Sequence, residues 1–241
     1  QRVSLAADKI LSNIERSPIV LLSGPSGSGK STFLRCLNRL EETTAGTVIV
    51  DDNDITDPKC NINKVRENIG MVFQQFNLLE SKTVFQNVAI PLILEGIPKE
   101  KITERVKEVL HIVELHDKRD TYVTQLSGGQ KQRVWIAMAL AQDTKVLFLD
   151  EPTTYLDVRY QLQILKLIQK LNREYGITIV MVLHDINQSL YYSDEIVAMK
   201  DGRMIAHGLP EEIITKELVQ EVYGVDLTIQ SVDGKPFVIP V

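Results

Sequence analysis

Residues 18–40 read PIVLLSGPSGSGKSTFLRCLNRL. An apolar run, a loop with three glycines and a helix-like stretch follow one another, so the pattern predicts a buried strand, a turn and a helix. Within it GPSGSGKS, residues 24–31, fits G-x-x-x-x-G-K-S in full, and strand–loop–helix is the setting in which that pattern has a mechanism. Gly24, Gly27 and Gly29 let the backbone curl until several N–H groups face one anion, with Pro25, Ser26 and Ser28 completing the cradle. The helix opening near Lys30 adds the positive end of its dipole. Lys30 is expected to reach the β- and γ-phosphates of a nucleotide, Ser31 to bind Mg²⁺, and Thr32 to stand at the α-phosphate.

Further along, LFLDEPTTYLD (147–157) ends an apolar run in two adjacent carboxylates, which repel each other unless something positive lies between them. A sharp surface turn is the plain explanation. Beside a phosphate cradle, a strand ending in Asp serves to hold Mg²⁺. Asp150 is therefore expected on the metal side, acting through water. Glu151 is expected as the general base that orients the attacking water. One side chain must face the ion and the other the water, so adjacency is useful.

The 241 residues are 44% apolar, enough for a substantial core, and carry a net charge of -5. That charge argues against a general nucleic-acid binder. Cys36 and Cys60 have neither metal-ligand spacing nor a disulfide framework, which fits a reducing cytosol. The longest apolar stretches, such as ITIVMVL (177–183), are too short to span a bilayer, and the first residues lack the pattern of a signal peptide. Any membrane role is expected to be peripheral.

EETTAGTVIVDDNDITD (41–57) reads as short antiparallel strands, its six acids forming a solvated face in preference to a cation site. A strand is expected from Ile69 to Phe73. Helical signals run from about 83 to 143, with Ile102, Val106, Val109, Leu110 and Val113 on one face and Pro98 near its start. VLFLD returns to strand. Val158, Leu162, Leu165, Ile168 and Leu171 form another helical stripe, closed by Gly176. ITIVMVLHD has almost no polar alternation and predicts a parallel strand covered on both faces. Two strands about an Asp-Gly turn (194–208), a short helix near 210–224 and a strand-like tail complete the pass. RVSLAADKILSNIERSP, before the first strand, reads as helix. The sum is a parallel α/β core interrupted by a mostly helical insertion.

In LSGGQKQR (126–133), Ser127 is placed as an N-cap, with Gly128, Gly129 and Gln130 opening a second helix suited to an anion. Together these motifs resemble the nucleotide-binding domain of ATP-binding-cassette (ABC) transporters over nearly the whole chain. GPSGSGKST looks like that family's Walker A, VLFLDE its Walker B with adjacent glutamate, LSGGQ its signature, and TYLD, ending in Asp157, its D-loop. Gln74 in VFQQF falls at the Q-loop, which places it with both the catalytic and the Mg²⁺-side residues. His184 in VLHD falls at the switch histidine that contacts the γ-phosphate.

The resemblance implies a P-loop NTPase fold: a RecA-like, mostly parallel core with an antiparallel β subdomain and a helical signature subdomain. It implies one domain, with 1–82 and 136–241 as core and 83–135 as the helical part. It also implies an ATP- and Mg²⁺-dependent ATPase subunit of an importer, lying on the inner face of the membrane with transmembrane permease subunits. Two copies would pair head to tail, each ATP held between one copy's Walker A and the other's signature, without nucleic acid.

Two departures stand out. The family's adenine-stacking aromatic is absent, since residues 1–29 contain no Phe, Tyr or Trp. Moreover, residues 31–42 resemble polar amino-acid importers, GMVFQQFNLLESKTVFQNVAIPL resembles methionine importers, and the stretches from Val134 resemble ferric-siderophore importers. That patchwork makes a chimeric or engineered domain, binding nucleotide with little transport function, a second reading. Two other classes compete: a nucleotide kinase, whose loop VLLSGPSGSGKST also resembles, and an ABC-type nucleic-acid machine. The kinase needs no LSGGQ, and the machine usually carries coiled-coil, zinc or basic insertions.

Overall fold

The computed structural model describes residues 17–43, 45–50, 53–72, 78–232 and 234–240. Gln74, Phe73 and nearly all of the expected N-terminal helix lie outside them. In chain order the elements are β1 (Ile19–Ser23), α1 (Lys30–Cys36), β2 (Ile49–Val50), β3 (Asn53–Asp54), α2 (Ile62–Arg66), β4 (Ile69–Val72), α3 (Val84–Leu94), α4 (Lys99–Ile112) and α5 (Gly128–Ala141). There follow β5 (Val146–Asp150), α6 (Val158–Tyr175), β6 (Thr178–Val182), α7 (Ile186–Tyr192), β7 (Glu195–Lys200), β8 (Arg203–Gly208), α8 (Pro210–Ile213), α9 (Lys216–Tyr223), β9 (Leu227–Val232) and β10 (Lys235–Pro240).

Six strands form one sheet in the order β4-β5-β6-β1-β7-β8. The first five run parallel, and β8 returns antiparallel along the edge. The apolar runs explain this arrangement. In β1, Ile19 and Leu21 join the core on one face of the sheet, while Val20 and Leu22 join the core on the other. β5 and β6 divide in the same way, as side chains alternating across a pleat must. A strand buried on both faces cannot alternate polar with apolar residues, which is why these segments read as continuous hydrophobic runs. Helices α3 to α7 contribute to the first layer, and α1 and α2 to the second, with Phe33, Leu34 and Val65 buried there.

Parallel pairing places the carboxyl ends of β5, β6 and β1 side by side, with Asp150 opposite Val182 and Leu22 opposite Val182 on its other flank. The loops after these three strands therefore emerge along one edge, which is where open α/β sheets bind ligands. The β7–β8 connection is the expected Asp-Gly turn, with Asp201 and Gly202 both at positive φ.

Several expectations meet different geometry. The α4 stripe is buried throughout, whereas on α6 Leu165, Ile168 and Leu171 are buried but Val158 is 69% exposed and Leu162 39%. The apolar residues of the first turns of α6 are thus left facing solvent in the single chain. The antiparallel strands β2 and β3 pair over two residues each among those described. Helix α5 runs unbroken through the expected boundary at 135/136, because it packs on α3 and α4 as well as on β4 and α6. No helix among the described residues is long and apolar enough to cross a membrane.

Candidate functional site

The strand-to-helix loop turns back sharply at Gly24, whose φ is +149°. A Cβ there would lie 2.1 Å from the carbonyl oxygen of Met199 in β7, so no side chain fits. Gly29 caps α1 in the left-handed region, with φ +96° and no side-chain hydrogen bond, which leaves the amides of the first helical turn facing the loop. Ser28 is buried, and its carbonyl accepts from the Gly202 amide at 2.9 Å, so it braces the loop from behind. Ser26, Gly27, Gly29, Lys30, Ser31 and Thr32 line one side of a cavity of about 150 Å³, and Glu151 and His184 line the other.

Lys30 is buried, and its ammonium donates to the carbonyls of Gly24 (2.8 Å) and Pro25 (2.9 Å). Burial pushes its pKa down, opposed by the carboxylates of Glu151 and Asp150. Ser31 Oγ donates to Asp150 Oδ1 at 2.7 Å. Asp150 is only 2% exposed, and burial pushes its carboxyl up, against the hydrogen bond from Ser31 and the charge of Arg35, whose Nη2 lies 3.8 Å from Oδ2. Glu151 follows at φ +55°, so the chain turns abruptly between the two acids. Its Oε1 lies 2.7 Å from His184 Nε2, and its Oε2 accepts from Thr154 Oγ1 at 3.1 Å. One carboxylate thus faces the serine of the loop and its neighbour faces the histidine after β6.

This donor set suits a hard cation. A hydroxyl and one carboxylate, all oxygen, match Mg²⁺, which prefers few protein ligands completed by water and phosphate. Among the described residues no cluster of three or more His, Cys, Asp or Glu has metal-binding geometry, so a metal cage built wholly from such side chains is absent from them.

The second helix start differs. Ser127 Oγ accepts from the Gln130 amide (3.3 Å), and the Gln130 side chain accepts from the Ser127 amide (3.0 Å), a complete capping box. Gly128 and Gly129 have packing reasons to be glycine. A Cβ on Gly128 would sit 3.1 Å from Leu156 Cδ2, and one on Gly129 2.8 Å from Tyr160 Cδ1. Asp157 caps α6 through the Tyr160 amide at 3.1 Å. Gly129 and Gln130 line a separate cavity of about 210 Å³ with Arg133 and Tyr160, which the phosphate loop does not touch.

Residues not singled out in the sequence also enter the site. Arg35, four positions after Ser31 on the same face of α1, had a readable signal in that spacing. Thr154, three positions after Glu151, belongs to no pattern that marks it, and outside the cavity the bond from Gln188 Nε2 to Gln161 Oε1 (2.9 Å) ties α7 to α6, whose Gln161 Nε2 also donates to the Leu156 carbonyl (2.9 Å).

Residues 8–154 match the family described as ABC transporter. A methionine import ATP-binding protein, MetN, of Mannheimia succiniciproducens is 46% identical over 220 residues, covering 90% of this chain and 64% of the relative. MetN 1 of Bacillus thuringiensis subsp. konkukian is 44% identical over 212 residues, 88% of this chain and 62% of that protein. The chain thus spans under two thirds of the length of these relatives. They cover both halves of it, so no patchwork is needed to account for the sequence, and the chimeric reading finds no support. Among solved structures, cbiO1 of Clostridium perfringens, part of the cbiONQ complex, superposes with a TM-score of 0.78 at 35% identity, covering 87% of this chain and 84% of that one. The cassette MJ0796, in a dimeric post-hydrolysis state with ADP and Pi, gives 0.71 at 39% identity, covering 82% and 88%. The matched family model, these relatives and the shared fold agree: the chain has the P-loop NTPase fold and belongs to the ABC transporter family.

Proposed function

We propose that the chain binds Mg-ATP and hydrolyses it as the ATP-binding subunit of an importer whose cargo is methionine. The observation that carries the catalytic part is the 2.7 Å contact between Glu151 and His184, across one cavity from Lys30, Ser31 and the Asp150 to which Ser31 is bonded. The cargo rests on the methionine-import relatives alone.

Each residue has a task that its position permits. Amides of the loop and of the first turn of α1 receive the phosphates, and Lys30 exchanges its two carbonyl partners for phosphate oxygens. Ser31 and Asp150 would hold Mg²⁺, which supplies neutralisation of charge on the β- and γ-phosphates. Glu151 takes a proton from the attacking water as its oxygen bonds to the γ-phosphorus and the bond to ADP breaks. His184 keeps the Glu151 carboxylate in place and faces the same γ-phosphate. Gln74, outside the described residues, remains assigned to the metal and water side by its place in VFQQF.

The signature helix belongs to the same proposal through a second copy. Ser127, Gly128, Gly129 and Gln130 lie apart from the chain's own phosphate loop, so a head-to-tail dimer supplies them with an anion, and Asp157 lies at that junction. The exposed side chains of Leu79 and Tyr122, beside the bridge between Thr83 and Tyr122, support a permease contact on the helical part. Phosphate release by the purified chain in Mg-ATP, measured beside Glu151→Gln, tests the central step. Removing the base should lower turnover by about 10²–10⁴-fold while ATP still binds. Equal rates in the two proteins contradict the assignment.

A further inference from the structure

The phosphate loop is held from behind at three points. The Met199 carbonyl fills the space beside Gly24, and the Gly202 amide holds the Ser28 carbonyl. These two belong to the backbone of the β7–β8 hairpin. The third is a side chain. The Tyr223 hydroxyl, 200 residues along the chain, lies 2.6 Å from Ser23 Oγ, at the last residue of β1. The backbone amide of Gly24 is near enough to act on the same oxygen. We propose that Tyr223 is a positioning residue for nucleotide binding, its hydroxyl fixing the Ser23–Gly24 corner where the first strand becomes the phosphate loop.

Ser23 is buried at the end of an otherwise apolar strand, and a buried hydroxyl needs a partner. Tyr223 supplies it from a well-fixed helix. Val219 and Val222 of α9 are buried, Gly224 closes the helix in the left-handed conformation, and Lys200 of β7 donates to the Glu221 carbonyl. The donor and acceptor therefore sit on elements that cannot drift apart independently. Burial pushes the Tyr223 phenol up, so it stays protonated and able to donate at neutral pH. A loop whose amides converge on an anion binds well only if it is already curled, because ordering it on binding costs affinity. Releasing the corner therefore weakens nucleotide binding more than it weakens the fold.

This inference rests on the proposed Mg-ATP site, and the test separates the two. Mg-ATP affinity is measured by calorimetry, and Tm by unfolding, on the full chain and on Tyr223→Phe, Ser23→Ala, the double variant and Lys30→Ala. Tyr223→Phe keeps the ring and removes one oxygen. It should weaken affinity about three- to tenfold, the size of one hydrogen bond. Ser23→Ala removes the same bond from the strand side and should match it, and the double variant should lose no more than either single. If Tyr223→Phe proves too unstable to measure, the affinity of Ser23→Ala decides. Affinity within twofold of wild type in both singles, with only Tm lowered, means that the pair is merely structural and overturns the inference, even though Lys30→Ala has lost binding. A wild-type chain that binds no Mg-ATP overturns the proposed function and this inference with it.

Discussion

Two helices in this chain begin with glycine-rich segments that suit an anion, and they are finished in opposite ways. At α1 the N-cap is Gly29, without a side-chain hydrogen bond, and the nearest cation is folded onto backbone carbonyls. At α5 the N-cap is Ser127, and a reciprocal capping box satisfies two amides from within the chain. No side chain caps the first start, whereas two amides of the second are satisfied from within the chain and those of Gly128 and Gly129 are left to the helix end. The glycines differ in the same sense. Gly24 is required by a backbone approach under the loop, whereas Gly128 and Gly129 are required by the side chains of Leu156 and Tyr160. On the proposed function, the difference fits one helix start that takes phosphate by itself and another that is presented, partly capped, to a second copy.

That contrast can be broken by substitution. The largest effect is expected at Lys30. Lys30→Ala removes a charge-assisted partner of the phosphates, worth about 1.5–3 kcal/mol, and should weaken Mg-ATP affinity of the isolated chain by about ten- to a hundredfold in equilibrium binding. Tm without nucleotide should change little, because the lysine gains only two carbonyl bonds against the penalty of its burial. Ser127→Ala should show the reverse. Losing the cap costs about 1 kcal/mol, or about 2–4 °C in Tm, while nucleotide affinity of the single chain should stay as in the wild type. A large affinity loss in Ser127→Ala with the protein still monomeric would place the signature in the chain's own site.

The smallest effect sharpens the account of the glycines. In a helix, Gly→Ala usually stabilises by about 0.4–1 kcal/mol. At Gly129 the added methyl would meet the Tyr160 ring, so Gly129→Ala should instead lower Tm. In a Tyr160→Ala background the same change should raise it. Equal effects in the two backgrounds contradict the packing explanation.

Much of this was legible in local sequence. The phosphate loop declared itself because its glycines, lysine and serine are adjacent, and because β1 is apolar without interruption. Asp150 and Glu151 declared themselves because two carboxylates at the end of a buried strand need a reason. The parallel sheet followed from strands lacking alternation. What stayed illegible depends on contacts between distant segments. Periodicity places Val158 and Leu162 on the apolar stripe of α6 but cannot tell that nothing among the described residues covers them. The glycines of the signature read as opening a helix for an anion, and only Leu156 and Tyr160 show that they are also there for space. The Ser23–Tyr223 and Gln161–Gln188 pairs join residues whose sequence neighbourhoods give no hint of each other.

If the preformed start at Ser127 serves the open start at Gly29 of another copy, ATP that cannot be cleaved must bring two chains together. Glu151→Gln keeps the size of the side chain and removes the base, so bound ATP persists. Its mass by light scattering, with and without saturating Mg-ATP, is the direct measurement. Without nucleotide two chains of net charge -5 should repel and stay largely monomeric, and with Mg-ATP the mass should double. A protein that remains monomeric with ATP demonstrably bound contradicts the shared site.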